Sequence, residues 1–237
     1  MPLQPVRTAA SMLDKKPADD VSISDRIGDR LAEMIATGQL KSGDRLTEAT
    51  LSDMFACSRV PAREALKVLH AQGILVGGRH RGFRVGEFGP VKTRAVLDVR
   101  LALEALLVRE AIVHWRNGTS DMALLDRALD DLGQAVAHGD LGEVLRCDLA
   151  FHRTIAEAAR NDLALTLWNT MARYVIILFN LARYGDVDLG TVLVRHKALR
   201  DALLAEVSAP TATRDAFTLL SDHYLASRQP GAPVPLN

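Results

Sequence analysis

Ser58-Arg59-Val60-Pro61-Ala62-Arg63-Glu64-Ala65-Leu66, continuing to Gln72-Gly73-Ile74-Leu75-Val76-Gly77-Gly78-Arg79-His80-Arg81-Gly82-Phe83-Arg84-Val85, decides the fold. Ser58 can cap a helix, and Pro61 falls in its first turn, where a missing N–H costs nothing. Leu66 and Leu69 share its inner face, and Gly73 closes it. Past Gly73 the period changes from 3.6 to 2. Ile74-Leu75-Val76 reads as a short strand, residues 77–82 as a basic glycine-rich loop and Phe83-Arg84-Val85 as a returning strand. Upstream, Ile23, Ile27, Leu31, Met34 and Ile35 recur on one face of a first helix that Gly38 and Gly43 stop. Thr47 can cap a second helix with Leu51, Met54 and Phe55 inside, and Ala56-Cys57-Ser58 makes the turn between helices two and three. Three helices and a hairpin within residues 22–86 predict a winged helix-turn-helix.

Charge agrees with that fold. From Ala56 to Gly86 there are six cations (Arg59, Arg63, Lys67, Arg79, Arg81, Arg84) and one anion, Glu64, whereas the chain from Glu87 onward carries a net charge of −3. A basic third helix plus a basic wing is the electrostatic footprint of a protein that binds duplex DNA. Arg59 and Arg63, four apart at the helix N-terminus, project from one side toward the major groove, where arginine pairs bidentately with guanine. Thr47 and Ser58, at helix N-termini, suit phosphates. Arg45 can serve either purpose. Arg79, His80 and Arg81 in the wing suit the minor groove or its phosphates, with Gly82 allowing close backbone approach.

Residues 87–90 read as a linker, and residues 91–228 as an all-α bundle of about six helices, near 91–116, 120–138, 141–159, 161–183, 188–207 and 211–228. The fold class is therefore mainly α, with a small β-hairpin wing. Residues 1–21 and 229–237, rich in proline, read as tails. Of the 237 residues, 48% are hydrophobic and 24% charged, enough to bury a core and exclude a disordered chain. Two cysteines, Cys57 and Cys147, exclude a disulfide scaffold and fit a reducing compartment. No apolar run reaches the roughly 20 residues of a membrane span, and no signal peptide is evident. A cytoplasmic protein is expected.

In the helical part, Asp148 and His152 are four apart, on one helix face, and His196 and His223 fall inside later helices. One carboxylate with three imidazoles would suit zinc, nickel or another first-row divalent metal. Spacing alone does not make these residues ligands. His70, His80, His114 and His138 show no partner pattern.

Ser42-Gly43-Asp44-Arg45-Leu46, Ser58 to Leu66, Gly73-Ile74-Leu75 and Arg81-Gly82-Phe83-Arg84-Val85 resemble the DNA-binding domain of GntR-family transcriptional regulators. That family usually has threonine or serine where this chain has Val60, which removes one hydroxyl from the DNA face. Asp148-Leu149-Ala150-Phe151-His152-Arg153-Thr154-Ile155, Ala158-Ala159-Arg160-Asn161, His196-Lys197-Ala198-Leu199, Asp201-Ala202-Leu203, Ala216 to His223, and Arg100-Leu101-Ala102-Leu103-Glu104 resemble the FCD effector-binding domain of the FadR subfamily. Six helices rather than seven look like its VanR-type subgroup. The resemblance implies that Asp148, His152, His196 and His223 hold a metal, with zinc favoured. A divalent cation inside a helical cavity would attract a small carboxylate or sugar acid. A homodimer would read the two halves of a palindromic operator, and the resemblance implies repression of a catabolic operon relieved by the effector. Arg100 is either a second anchor for that effector or the partner of Glu104 at i+4, while Tyr174 and Asn180 are candidate polar pocket residues. Two rival readings are a metal-dependent enzyme fused to a nucleic-acid-binding module and a regulator whose metal is purely structural. The enzyme would need a general base near metal-bound water, and no His-Glu-x-x-His motif supplies one.

Overall fold

The computed structural model describes residues 22–78, 82–183, 188–211 and 213–225, the side chains of 179–183 and 225 excepted. Both predicted tails, and residues 226–228 of the predicted last helix, lie outside the described residues. Contacts divide the chain into two units: Met1–Thr93 with Arg173–Tyr184, and Arg94–Ala172 with Gly185–Asn237.

In the first unit, Ser22 caps α1 (Ile23–Ala36) by accepting from the Asp25 N–H at 3.1 Å. Ile27, Leu31, Met34 and Ile35 are buried as their spacing predicts, while Ile23, at the open end of the stripe, is exposed. α2 (Glu48–Phe55) starts with a capping box: Thr47 Oγ1 accepts from Thr50 N–H, and Thr50 Oγ1 accepts from Thr47 N–H. Ala56, left-handed at φ 48°, ends α2 and turns the chain into α3 (Arg59–Ala71), which buries Ala62, Ala65, Leu66 and Leu69.

The wing has one more strand than the two the sequence predicts. β1 (Arg45–Leu46), β2 (Leu75–Gly78) and β3 (Gly82–Val85) form an antiparallel sheet in the order β1-β3-β2, with Leu75 opposite Val85 and Leu46 opposite Phe83. β1 is two residues long, too short for alternation to announce it. Gly77 has φ 104°, and a Cβ there would lie 2.6 Å from the Gly82 carbonyl oxygen, so this position requires glycine.

The same unit includes the later part of α7 (Asp162–Arg183). Arg173, nearly buried, donates from Nε to Asp29 at 2.7 Å and from Nη2 to Asp25 at 3.0 Å. It lies over Gly28, where a Cβ would approach its Cζ to 3.2 Å. Burial would raise the Asp25 carboxyl, but hydrogen bonds from Ser22 and Arg173 hold it below its usual range. Lys92 donates to the Gly73 carbonyl at 2.7 Å and stands over the Phe88 and Tyr174 rings.

The second unit is helical. It comprises most of α4 (Pro90–Arg116), then α5 (Ala123–His138), α6 (Leu141–Ala158), the start of α7, α8 (Leu189–Ser208) and α9 (Ala216–Leu225). The described residues thus hold nine helices in all. Its core gathers Leu107, Trp115, Phe151, Ile155, Leu199 and Leu220. Asp140 and Asp188 cap α6 and α8. α9 starts at Ala216, later than the predicted 211, because the Thr213 N–H is taken by Glu206 and Asp215 accepts from the Thr218 N–H. No helix among the described residues is long and apolar enough to cross a membrane.

Candidate metal centre and nucleic-acid interface

α6 places Asp148 and His152 one turn apart, facing inward, with 3% and 2% exposure. α8 supplies His196 and α9 supplies His223, both buried. Nitrogens of His152, His196 and His223 all lie within 4.8 Å of one another. Each imidazole has its Nδ1 against an acceptor. For His196 this is the Val192 carbonyl at 2.8 Å, for His223 the Arg195 carbonyl at 3.3 Å, and for His152 the Glu104 carboxylate at 3.4 Å. An Nδ1–H engaged in this way leaves the lone pair on Nε2.

The Nε2 atoms of His152 and His196 are buried without a hydrogen-bond partner. Asp148 Oδ1 is 3.0 Å from His196 Nε2 but off the hydrogen-bonding line. Buried polar atoms without partners are costly, and a cation held among them would satisfy the carboxylate and the imidazoles together. The donor set therefore fits a divalent metal, and the Nδ1 acceptors orient the ligands.

Charge around the cluster is held by Glu104 on α4. Its carboxylate accepts from Arg100 Nε at 2.8 Å, Trp168 Nε1 at 3.0 Å and the Tyr224 hydroxyl, as well as lying beside His152. Burial would raise the Glu104 carboxyl, but Arg100 and His152 outweigh it and hold it well below the usual range. Burial likewise fails to raise Asp148, because contact with His196 and the nearby Arg100 guanidinium hold its carboxyl below the usual range. Burial lowers His152, and burial with the neighbouring histidines lowers His223 well below 6.5, so both favour the neutral form that binds metal.

Of the two readings of Arg100, the structure realises the ion pair with Glu104, with the guanidinium 4.7 Å over the Tyr224 ring. Tyr174 corrects the sequence expectation. It belongs to the first unit, where its hydroxyl donates to the Gln72 carbonyl and its ring packs edge-on to Phe88. The Asn180 side chain is outside the described residues. Glu104 and Tyr224 are the site residues that sequence reasoning missed. The i+4 pair with Arg100 was visible, but nothing in the spacing joins Glu104 to His152.

In the first unit, a cleft of about 660 Å³ between α3 and the wing is lined by Arg45, Thr47, Arg59, Arg63, Lys67 and Gly82 among others. Ser58 caps α3 without a side-chain capping bond, so its hydroxyl is not committed to the helix. Val60 is 67% exposed. Arg63 forms a two-point ion pair with Glu48, which lowers the Glu48 carboxyl and raises the guanidinium. Arg84 donates to the Gly43 carbonyl at 2.8 Å. Gly82 has φ 73°, and a Cβ there would lie 3.0 Å from Arg45 Nε, so its glycine serves the wing's own geometry. Arg79, His80 and Arg81 are outside the described residues.

Residues 23–85 match the profile of bacterial regulatory proteins of the gntR family, and residues 95–217 match that of the FCD domain. The chain is 25% identical over 209 residues to a protein of Paenarthrobacter nicotinovorans described as "Probable D-xylose utilization operon transcriptional repressor", covering 88% of each. It is 29% identical over 147 residues to the gluconate operon transcriptional repressor of Bacillus subtilis, covering 62% of this chain and 59% of that one. Among solved structures it is similar in fold to E. coli McbR/YncC, with a TM-score of 0.70 and 21% identity over 87% of this chain and 95% of that one.

Proposed function

The chain belongs to the gntR family of bacterial regulatory proteins and carries an FCD domain, and on that premise we propose that it represses a catabolic operon and is released by a small carboxylate or sugar acid bound at a metal in its helical unit. It is a transcriptional regulator and not an enzyme. The observation that carries the effector reading is the cluster of three buried imidazoles, each turned by an acceptor on Nδ1, beside Asp148.

Asp148, His152, His196 and His223 would hold the metal, with zinc first among the candidates. A bound divalent ion supplies positive charge and open positions for carboxylate and hydroxyl oxygens. Glu104 keeps His152 in the ligating tautomer and neutralises Arg100 in the absence of effector. Arg100 then serves as the second anchor for an acid, exchanging or sharing its carboxylate partner.

On DNA, Arg59 and Arg63 enter the major groove, Ser58 and Thr47 meet phosphates with their helix N-termini, and Arg45 flanks them. Arg79, His80 and Arg81 extend the wing's positive charge toward the minor groove. A homodimer reads two half-sites of a palindromic operator. Effector and operator compete through dimer geometry, for which a coupling of about 1–3 kcal/mol suffices.

The test is a thermal-shift screen of zinc-loaded protein against small carboxylates and sugar acids, with His152→Ala as the control. An effector at about 100 times its Kd adds about 2.7 kcal/mol of stability. That gain should vanish in the variant, and the same acid should release operator DNA. A library of acids that moves neither stability nor DNA binding in any metal form refutes the effector reading and leaves the metal a structural role.

A further inference from the structure

Glu48 is an anion on a face otherwise suited to phosphates. It is the first residue of α2, and its carboxylate meets Arg63 of α3 at two points, Nε to Oε1 at 2.7 Å and Nη2 to Oε2 at 3.0 Å. Both side chains are substantially exposed, so the pair contributes little to folding. An acidic group here also weakens attraction to DNA. Its place needs another explanation.

Geometry supplies one. A guanidinium has two usable donor edges: a side edge formed by Nε and one Nη, and an end edge formed by the two Nη groups. Glu48 occupies the side edge. The end edge carries the parallel donors that match O6 and N7 of guanine. The other nearby acid, Glu64, pairs with Lys67 at 2.8 Å. A free arginine would lose rotamer freedom on meeting a base, and a preformed pair has already lost part of it.

Building on the DNA-binding reading above, we propose that Glu48 is a positioning residue for sequence readout: it grips Arg63 by its side edge so that the end edge addresses a guanine in the major groove. The cost is weaker non-specific binding, and the return is discrimination at one base pair in each half-site.

The test is selection from a randomised duplex library by the full-length protein, R63A, E48Q and E48A, with base preferences read at every position and thermal melting as the folding control. R63A should lose a guanine preference of about 5- to 150-fold at one position. E48A should weaken that same position, leave the others as in the wild type and bind unrelated duplex more tightly. E48Q, which keeps the shape but offers one acceptor, should fall between. A wild-type preference at the Arg63 position in both Glu48 variants overturns the positioning role and leaves DNA readout standing. So does a Glu48 effect spread evenly over all positions. R63A with every preference intact overturns the assignment of Arg63 itself and the proposal with it.

Discussion

Replacing Glu104 by alanine tests whether one carboxylate serves both the charge balance and the ligand geometry of the helical unit. Arg100 and Glu104 are 2% and 4% exposed, and the pair is closed at 2.8 Å. Removing one partner of a buried pair strands the other charge, which costs about 3–5 kcal/mol. At roughly 2–4 °C per kcal/mol for a chain of this size, the melting temperature should fall by about 6–20 °C. The Trp168 and Tyr224 donors lose their acceptor in the same variant. His152 loses the group beside its Nδ1, and loss of such a partner weakens metal affinity by about 10- to 100-fold. Chelator-competition titration with zinc, beside thermal melting with and without metal, reads both effects. Trp168→Phe is the comparison: it deletes one donor, costs about 1 kcal/mol and should leave zinc affinity alone. If E104A melts early yet binds zinc as tightly as the wild type, Glu104 balances Arg100 and orients nothing.

Acid should destabilise the metal-free protein well before its carboxylates titrate. Burial lowers His152 and His223 from 6.5, so the unfolded chain takes up protons that the folded one refuses. Stability is therefore complete above about pH 6.5 and drains below it, by up to about 1.4 kcal/mol per pH unit for each histidine until that histidine protonates in the folded state. Melts of chelated protein between about pH 8 and about pH 5.5 check the sign; constant stability across that range contradicts neutral buried imidazoles. Arg173→Ala should cost the winged-helix unit about 1–3 kcal/mol, toward the low end because Asp25 and Asp29 stay half exposed and rehydrate. Melting of the variant should show this with zinc affinity unchanged, and a loss under about 0.5 kcal/mol means the double ion pair is ornamental.

Most elements could be read from the chain because each carries its own local signal. Thr47 and Ser58 stand at the starts of α2 and α3, and Leu66 and Leu69 mark the inner face of α3. β1 could not be read, since two residues make a strand only by pairing with β3, about forty residues away. Tyr174 was misplaced for a different reason. α7 is one unbroken helix, yet its residues from Arg173 onward belong with the winged-helix unit. Periodicity shows which residues of a straight helix share a face, but not where that helix leaves one core and joins another.

The same limit governs the site. Asp148 and His152 are neighbours on one turn, so spacing proposes them; His196 and His223 join only through a resemblance, because α8 and α9 return to α6 by packing. Glu104 lies farther still from its partners in sequence: Trp168, His152 and Tyr224 come from three other helices. Its carboxylate is stable in the interior because four groups converge on it, and each of them needs it for the same reason. Arg100 needs a counter-charge, Trp168 and Tyr224 need an acceptor, and His152 needs an Nδ1 partner that leaves Nε2 for a metal. A group shared in this way cannot be exchanged one contact at a time. Drawing Arg100 away from Glu104 would therefore also disturb the contacts of Trp168, Tyr224 and His152.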